Sequence, residues 1–275
     1  MLKSVNQWCF PEGTALDKVF SVSQQAGLDA VELNLYASGA PAGFTMDTTA
    51  AEANTIAKQA AEHGLKLRSI STGLLWGAPL SSSDADERKR GREIVHKQLE
   101  IAELIGADTV LVVPGTVNEN SSYDDCYTNS QRELELLLPE AERRGVKIGI
   151  ENVWNKFLLS PLEMKRYVDE LDSPNVGVYF DVGNILLYGY PEQWIRILGS
   201  RIAKIHVKDF KTSAGNFSGF VPLMAGDVNW PGVIAALKEI GYTDTLTAEI
   251  SPYPSNAYQA VYDTANQLEA IINGG

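Results

Sequence analysis

Apolar and polar positions along the chain alternate between two periods. Short runs rich in β-branched residues recur between stretches whose apolar positions fall three and four residues apart. Leu134, Leu137, Leu138 and Ala141 trace one helix face, as do Met164, Tyr167, Val168 and Leu171, and Val233, Ala236, Leu237 and Ile240. Helical stretches end at Gly27, Gly64, Gly106, Gly145 and Gly241, and a strand-like run follows each within a few residues. Glycine at such a junction takes the left-handed conformation that closes a helix cheaply. The first four lie 37, 42 and 39 residues apart, which suits one strand–helix unit each. Strands that alternate with helices pair in parallel.

Eight strands are predicted, at about 4–9, 30–36, 66–72, 109–114, 147–152, 176–181, 202–207 and 245–250. The fold class is therefore α/β. Eight units in 275 residues favour a single (β/α)₈ barrel over an open doubly wound sheet, since such barrels need about 250 residues. One domain over residues 1–275 follows, because no Pro/Gly/Ser-rich linker divides the chain. No Gly-x-Gly-x-x-Gly follows the first strand, which weakens a dinucleotide-binding alternative. Pro139 lies inside a helical stretch, where a kink or break is expected. Residues 211–229 are long for a strand-to-helix loop and are expected to supply a lid or substrate contacts.

Composition narrows the function. The formal net charge is −12, which disfavours binding to phosphate backbones. The basic run Arg88-Lys89-Arg90 with Arg92 follows Asp84, Asp86 and Glu87, and fits the solvated start of a helix. Cys9 and Cys126 show no metal spacing and suggest no disulfide framework. No apolar run of about 18 residues is present, so no membrane span is expected. Met1–Val5 leads straight into a strand-like run without a cleavage pattern, so a cytoplasmic protein is expected.

Strand parity separates an inward from an outward face. In the fifth strand Ile148 and Ile150 oppose Lys147, Gly149 and Glu151. In the sixth, Val178 and Phe180 oppose Gly177, Tyr179 and Asp181. In the seventh, Ile205 and Val207 oppose Lys204 and His206. In the eighth, Leu246, Ala248 and Ile250 oppose Thr245, Thr247 and Glu249. With the apolar faces against helices, four successive strands end in an inward Glu, Asp, His and Glu. Barrel active sites lie at those carboxyl ends. Three carboxylates in one place repel and raise one another's pKa, and a divalent cation removes the conflict. Oxygen ligands with one imidazole suit Mn²⁺ first, with Mg²⁺, Co²⁺ and Zn²⁺ also compatible. Taken singly, each residue has a plainer reading, as a cap, an ion-pair partner or a satisfied core histidine. The joint pattern on adjacent strands carries the metal reading.

The stretches Ile148-Gly149-Ile150-Glu151-Asn152, Tyr179-Phe180-Asp181-Val182-Gly183-Asn184, Lys204-Ile205-His206-Val207-Lys208-Asp209, Ala225-Gly226-Asp227-Val228-Asn229-Trp230 and Ala248-Glu249-Ile250 resemble the xylose isomerase-like barrels, in particular their sugar and sugar-phosphate epimerases and isomerases. The resemblance spans nearly the whole chain and is most specific from 147 to 250. It implies that Glu151, Asp181, His206 and Glu249 hold one divalent metal, and that Glu151 and Glu249 double as the acid–base pair. The family's usual Asp before the Trp is Asn229 here. Both cap helices well and Pro231 suits a first helical turn, so that change is structural. Ketohexose 3-epimerases of this kind often carry His where this chain has Asn184, and the Asp-Val-Gly-Asn form is more similar to pentulose-phosphate 3-epimerases. Lys208, Lys211 and Ser213, after the seventh strand, are matching candidates for a phosphate site; as loop residues they are equally well explained as surface groups. Relatives of this kind are often dimers or tetramers, but no interface is legible in the sequence.

The implied reaction is proton transfer at C3 of a ketose or ketose phosphate through an enediolate. Aldose–ketose isomerisation, as in hydroxypyruvate isomerase-like enzymes, shares that intermediate. A lyase similar to inosose or dehydroshikimate dehydratases, and a non-catalytic sugar-binding barrel, are the rivals. DNA repair of the endonuclease IV type needs several histidines, and the chain has three, of which His63 and His96 lie on helices. Smaller candidates are Glu32, either a substrate contact or a buried partner of Arg68; Trp8, Trp76 and Trp154 as pocket walls or as packing, with Trp154 a candidate substrate contact; and Cys9 and Phe10 as pocket residues.

Overall fold

Eight parallel strands close into a ring in the computed structural model, which describes residues 1–274. They are β1 (Leu2–Asn6), β2 (Ala30–Tyr36), β3 (Ser69–Thr72), β4 (Thr109–Val112), β5 (Lys147–Glu151), β6 (Val176–Asp181), β7 (Ile202–Val207) and β8 (Thr245–Ala248). Each pairs with its neighbour in sequence, and β8 pairs back with β1. The barrel is wrapped by α1 (Leu16–Gln25), α2 (Ala50–Glu62), α3 (Ala85–Ile105), α4 (Tyr123–Arg144), α5 (Pro161–Glu170), α6 (Pro191–Leu198), α7 (Trp230–Glu239) and α8 (Gln259–Gly274).

The outward faces of the strands are apolar and fully covered: Ile148, Ile150, Val178, Phe180, Ile205 and Leu246 expose nothing to solvent. Burying each such side chain contributes roughly 1.5–3 kcal/mol, which fixes which strand face meets the helices. The inward face is consequently polar, as parity predicts. The five junction glycines all have positive φ, between 66° and 75°.

Local chemistry moves some boundaries. The first strand stops at Asn6 rather than running to residue 9. The Asn6 side chain accepts from Trp8 N at 2.7 Å and turns Gln7–Cys9 into a 3₁₀ turn, competing with the strand ladder for the backbone. The third strand starts at Ser69, with Lys66 joined to Ala30 only by an isolated bridge. The eighth ends at Ala248, so Glu249 lies one residue past it, although its N–H still donates to Val207 O at 3.2 Å.

The break expected at Pro139 does not occur, and α4 is continuous from Tyr123 to Arg144. Proline removes one helical hydrogen bond, to the carbonyl of Glu135. Both residues are exposed, so water satisfies that carbonyl. Residues 211–229 carry short 3₁₀ turns and a two-residue strand, Phe220–Val221, paired antiparallel with Asp209–Phe210. Asn229 caps α7 by accepting from Gly232 N, and Pro231 lies in its first turn.

At the amino ends of the strands an ionic plug closes the barrel. Lys204, 1% exposed, reaches Asp108 at 2.7 Å and Asp244 at 2.5 Å, and Arg68 bridges the same two carboxylates. The partnership of Arg68 with Glu32 is therefore corrected. Arg68 is spent on Asp108 and Asp244, and makes no ion pair with Glu32.

Candidate metal centre and cavity

Register brings the inward carboxylates together. Glu151 pairs with Tyr179 across β5–β6, and Asp181 with His206 across β6–β7, while Thr247 flanks His206 on β8. Glu151, Asp181, His206 and Glu249 each offer one ligand atom, and these lie within 4.8 Å of one another. His206 Nδ1 sits 3.1 Å from Glu249 Oε2 and 3.6 Å from Glu151 Oε1.

Two observations test whether a cation suits this set. Asp181 Oδ2 and His206 Nδ1 are buried and make no well-aligned hydrogen bond, although Lys208 Nζ lies 3.2 Å from the first and Glu249 Oε2 3.1 Å from the second. Buried polar atoms normally find partners, so the pair is an invitation to a ligand. The donor set itself, three carboxylates and one imidazole, is a hard-to-borderline set that fits a divalent ion. The residues fit a metal.

The far side of the histidine is anchored. Its Nε2 lies 2.7 Å from Glu32 Oε1. Glu32 is buried and also accepts from Asn6 Nδ2 at 2.7 Å and Ser71 Oγ at 2.6 Å, and from the hydroxyls of Ser69 and Tyr179. Glu32 thus lies beneath His206 and off the cavity wall, which corrects its placing as a substrate contact. The sequence-based reading missed this network. The inward parity of Asn6, Glu32, Ser69, Ser71 and Tyr179 was the available signal, but it names no partner.

Lys208 belongs to the centre. Its Nζ lies 3.2 Å from Asp181 Oδ2 and 3.1 Å from Glu249 Oε2, and 5.6 Å from the centre of the Phe220 ring. Lys211 instead pairs with Asp227 at 3.6 Å, and Ser213 lies in an exposed 3₁₀ turn. The expected phosphate trio is therefore split up.

The charges push the carboxylates apart in acidity. Burial raises Glu151 to about 7, against the pull of His206 and Lys208. Burial also raises Asp181, with Lys208 opposing. Burial works the same way on Glu249, but Lys208 and His206 outweigh it and hold the group at about 2. His206 is pushed down by burial, yet Glu32 and the other carboxylates overcome this and raise it well above its ordinary value.

A cavity of about 750 Å³ opens above the centre. Glu151, Glu249, Asn184 and Lys208 lie at its floor, and Trp8, Trp76 and Trp154 stand in its wall, as expected. Phe217, Phe220, Val221 and Pro222 of the long loop complete one side. Trp154 packs on Phe210, Phe217 and Phe220, and its Nε1 donates to Asn184 O at 2.7 Å. Asn184 in turn donates to Asn152 O at 3.0 Å. Cys9 and Phe10 are buried away from the cavity, Cys9 against Ala248 O, and burial pushes its thiol up to about 12. Both cysteines are free. Asp209, singled out only within a motif, ties two motifs together. It accepts from Trp230 Nε1 at 3.1 Å and Val228 N at 3.2 Å, and a side chain at Gly226 would collide with it.

His63 caps the end of α2 and His96 pairs with Glu140 on the outer helices, so His206 is the one histidine at the centre. A model of the xylose isomerase-like TIM barrel family matches residues 20–270. The chain belongs to that family. Among its relatives is the L-ribulose-5-phosphate 3-epimerase UlaE of Salmonella paratyphi C (strain RKS4594), 24% identical over 241 residues, 87% of this chain and 84% of that protein. An L-ribulose 3-epimerase structure superimposes with a TM-score of 0.83 at 18% identity, covering 99% of this chain and 95% of the other. The IOLI protein structure with a binding zinc atom gives 0.80 at 20% identity, covering 100% and 99%. These likenesses establish the barrel architecture. Among the described residues no helix is long and apolar enough to cross a membrane.

Proposed function

We propose that this family member is a divalent-metal-dependent sugar epimerase or isomerase that moves a proton on the carbon beside a ketose carbonyl, with epimerisation at C3 as its reaction. The observation that carries this reading is the convergence of Glu151, Asp181, His206 and Glu249, of which Glu151 and Glu249 line a largely apolar cavity. The epimerase names of its relatives support it.

Those four residues would hold the metal, with Mn²⁺ the first candidate and Mg²⁺, Co²⁺ and Zn²⁺ compatible donors' partners. A bound divalent ion supplies Lewis acidity toward a carbonyl oxygen. The protein's own groups do the rest. Asp181 and His206 anchor the centre, and His206 is oriented by Glu32. Glu151 and Glu249 reach the same histidine nitrogen from strands three apart around the ring, so a sugar carbon between them meets a carboxylate on either side. One removes the C3 proton, giving an enediolate, and the other returns a proton to the opposite face. Lys208 and Asn184 line the cavity and would bind substrate hydroxyls. The aromatic walls exclude water from the reactive intermediate.

The test is a panel of ketoses and ketose phosphates incubated with Mn²⁺-loaded protein in deuterated water. Metal-dependent exchange at the carbon beside the carbonyl, with inversion at C3, is expected. Loss of water from the sugar would point instead to a lyase, and absence of exchange across the panel removes the proposal.

A further inference from the structure

Resting on that reading, the cavity wall also speaks to the substrate's far end. A phosphate monoester carries about −1.5 to −2 charge at neutral pH and is held by arginine forks, lysines or backbone N–H groups. No arginine lines the cavity, and Lys208 is its one lysine. That lysine is held at the floor by Asp181 and Glu249, among the carboxylates, rather than at the far end.

Barrels commonly bind phosphate with the loops after the last two strands. Here those loops face the cavity chiefly with Phe217, Phe220, Val221, Pro222, Pro252 and Pro254; the three prolines have no N–H to offer, and Ser251 and Tyr253 bring neutral groups without a charge. The N-terminus of α7 is already capped by Asn229. Lys211 turns outward to Asp227. The remaining polar groups of the upper wall are neutral and several are spent. Thr72 Oγ1 donates to Leu35 O, and the Tyr253 hydroxyl donates to Asp263. A phosphate placed there would lose its water, gain no counter-charge and sit in the field of the floor carboxylates.

We infer that the substrate is an uncharged ketose, whose end remote from the metal-holding floor packs against Trp8, Trp76, Trp154 and Phe217, and not a ketose phosphate. Indole and phenyl faces suit the C–H faces of a sugar, and the free indole N–H groups of Trp8 and Trp76 can donate to neutral hydroxyls.

Matched pairs decide it: D-ribulose and D-ribulose 5-phosphate, L-ribulose and L-ribulose 5-phosphate, and D-fructose and D-fructose 6-phosphate. Each is given to the Mn²⁺-loaded full chain, and kcat/KM is taken from deuterium exchange at C3. In the pair that turns over fastest, the free sugar is expected to exceed its phosphate by at least about 100-fold, since an unpaired charge costs several kcal/mol in such a wall. A phosphate processed as well as or better than its free sugar overturns the inference and leaves the epimerase reading standing. Exchange on neither member of any pair removes the epimerase reading, and the inference with it.

Discussion

His206 is gripped from two sides by carboxylates, its Nε2 2.7 Å from Glu32 Oε1 and its Nδ1 3.1 Å from Glu249 Oε2. With Glu32 holding a proton on Nε2, loss of the other ring proton frees the Nδ1 lone pair for a metal. Carboxylates in that position orient metal-binding histidines, and removing one typically costs about 10–100-fold in metal affinity. Glu32→Gln keeps the shape and loses the charge. It should bind Mn²⁺ about 10–100-fold more weakly in calorimetric titration while remaining folded by circular dichroism. Unchanged affinity would show that Glu32 serves the barrel interior alone.

Metal affinity should depend on pH through Glu151. Burial holds its carboxyl at about 7, so it is mostly protonated below that pH. Glu249, at about 2, is ionised throughout. A metal needs the ionised form and so displaces the Glu151 proton. Affinity should therefore rise as pH increases through about 7, by up to tenfold per unit from Glu151, and go on rising above it, because His206, held well above its ordinary value by Glu32 and the other carboxylates, must also give up a proton. Calorimetry in buffers of different ionisation enthalpy counts the released proton. A flat profile from about pH 5.5 to 8, with no proton released, contradicts this account.

Much of this centre was legible before any coordinates. Period-two alternation gave the inward face of β5 to β8, and hence Glu151, Asp181, His206 and Glu249, because parity is a local property of a strand. The five glycine junctions gave the repeat of the barrel. What escaped depends on contacts distant in sequence. Glu32 meets His206 across 174 residues, and parity says that both face inward without saying that they touch. For the same reason the sequence offers Arg68 as one partner for Glu32, whereas Arg68 pairs with Asp108 and Asp244. Lys208 follows the last residue of β7, where alternation ceases to be informative, so its place among the carboxylates came from the fold alone. Pro139 misled because the propensity rule is silent on whether the freed carbonyl faces water.

The acid–base roles proposed for Glu151 and Glu249 call for separate tests at saturating metal. Glu151→Gln and Glu249→Gln each remove a proton-transfer group but keep an oxygen donor. Each should lower kcat for C3 exchange by about 10²–10⁴-fold, the usual contribution of general acid–base catalysis. Bound metal should be verified in each variant by elemental analysis. A fully loaded Glu151→Gln protein with wild-type kcat would remove Glu151 from the proton path.

The ionic plug predicts a stability change in acid. Asp244 is buried in part, but Arg68 at 2.8 Å and Lys204 at 2.5 Å outweigh that burial and hold it at about 2. An unfolded aspartate titrates near about 3.9, so between these values the unfolded chain binds the extra proton. The contribution is complete above about pH 4 and lost as pH falls through about 2. Discounted for its partial exposure, it is on the order of 1 kcal/mol. Urea unfolding of wild type should lose about that much more stability between about pH 4 and pH 2 than Asp244→Asn. Parallel curves for the two proteins would mean that the plug is energetically silent.

Lys208 stands where a metal's charge is needed. Its Nζ contacts Asp181 Oδ2 and Glu249 Oε2, and with His206 it supplies the positive charge for three carboxylates, of which Glu151 and Asp181 are buried and Glu249 partly so. Removing one partner of a buried pair costs about 3–5 kcal/mol, because the other charge is left uncompensated. Lys208→Met should therefore lower the melting temperature of the metal-free protein by about 6–20 °C, given roughly 2–4 °C per kcal/mol for a domain near this size. In saturating Mn²⁺ the ion takes over part of that compensation, and the loss should shrink by about half. The four states form a closed cycle. A variant that weakens the metal-free form more than the loaded form must bind metal more tightly, by the same free energy. Calorimetry should find Mn²⁺ affinity raised in Lys208→Met. Equal melting losses with and without metal, together with unchanged affinity, would show that the lysine and the ion do not share the same charge-balancing role.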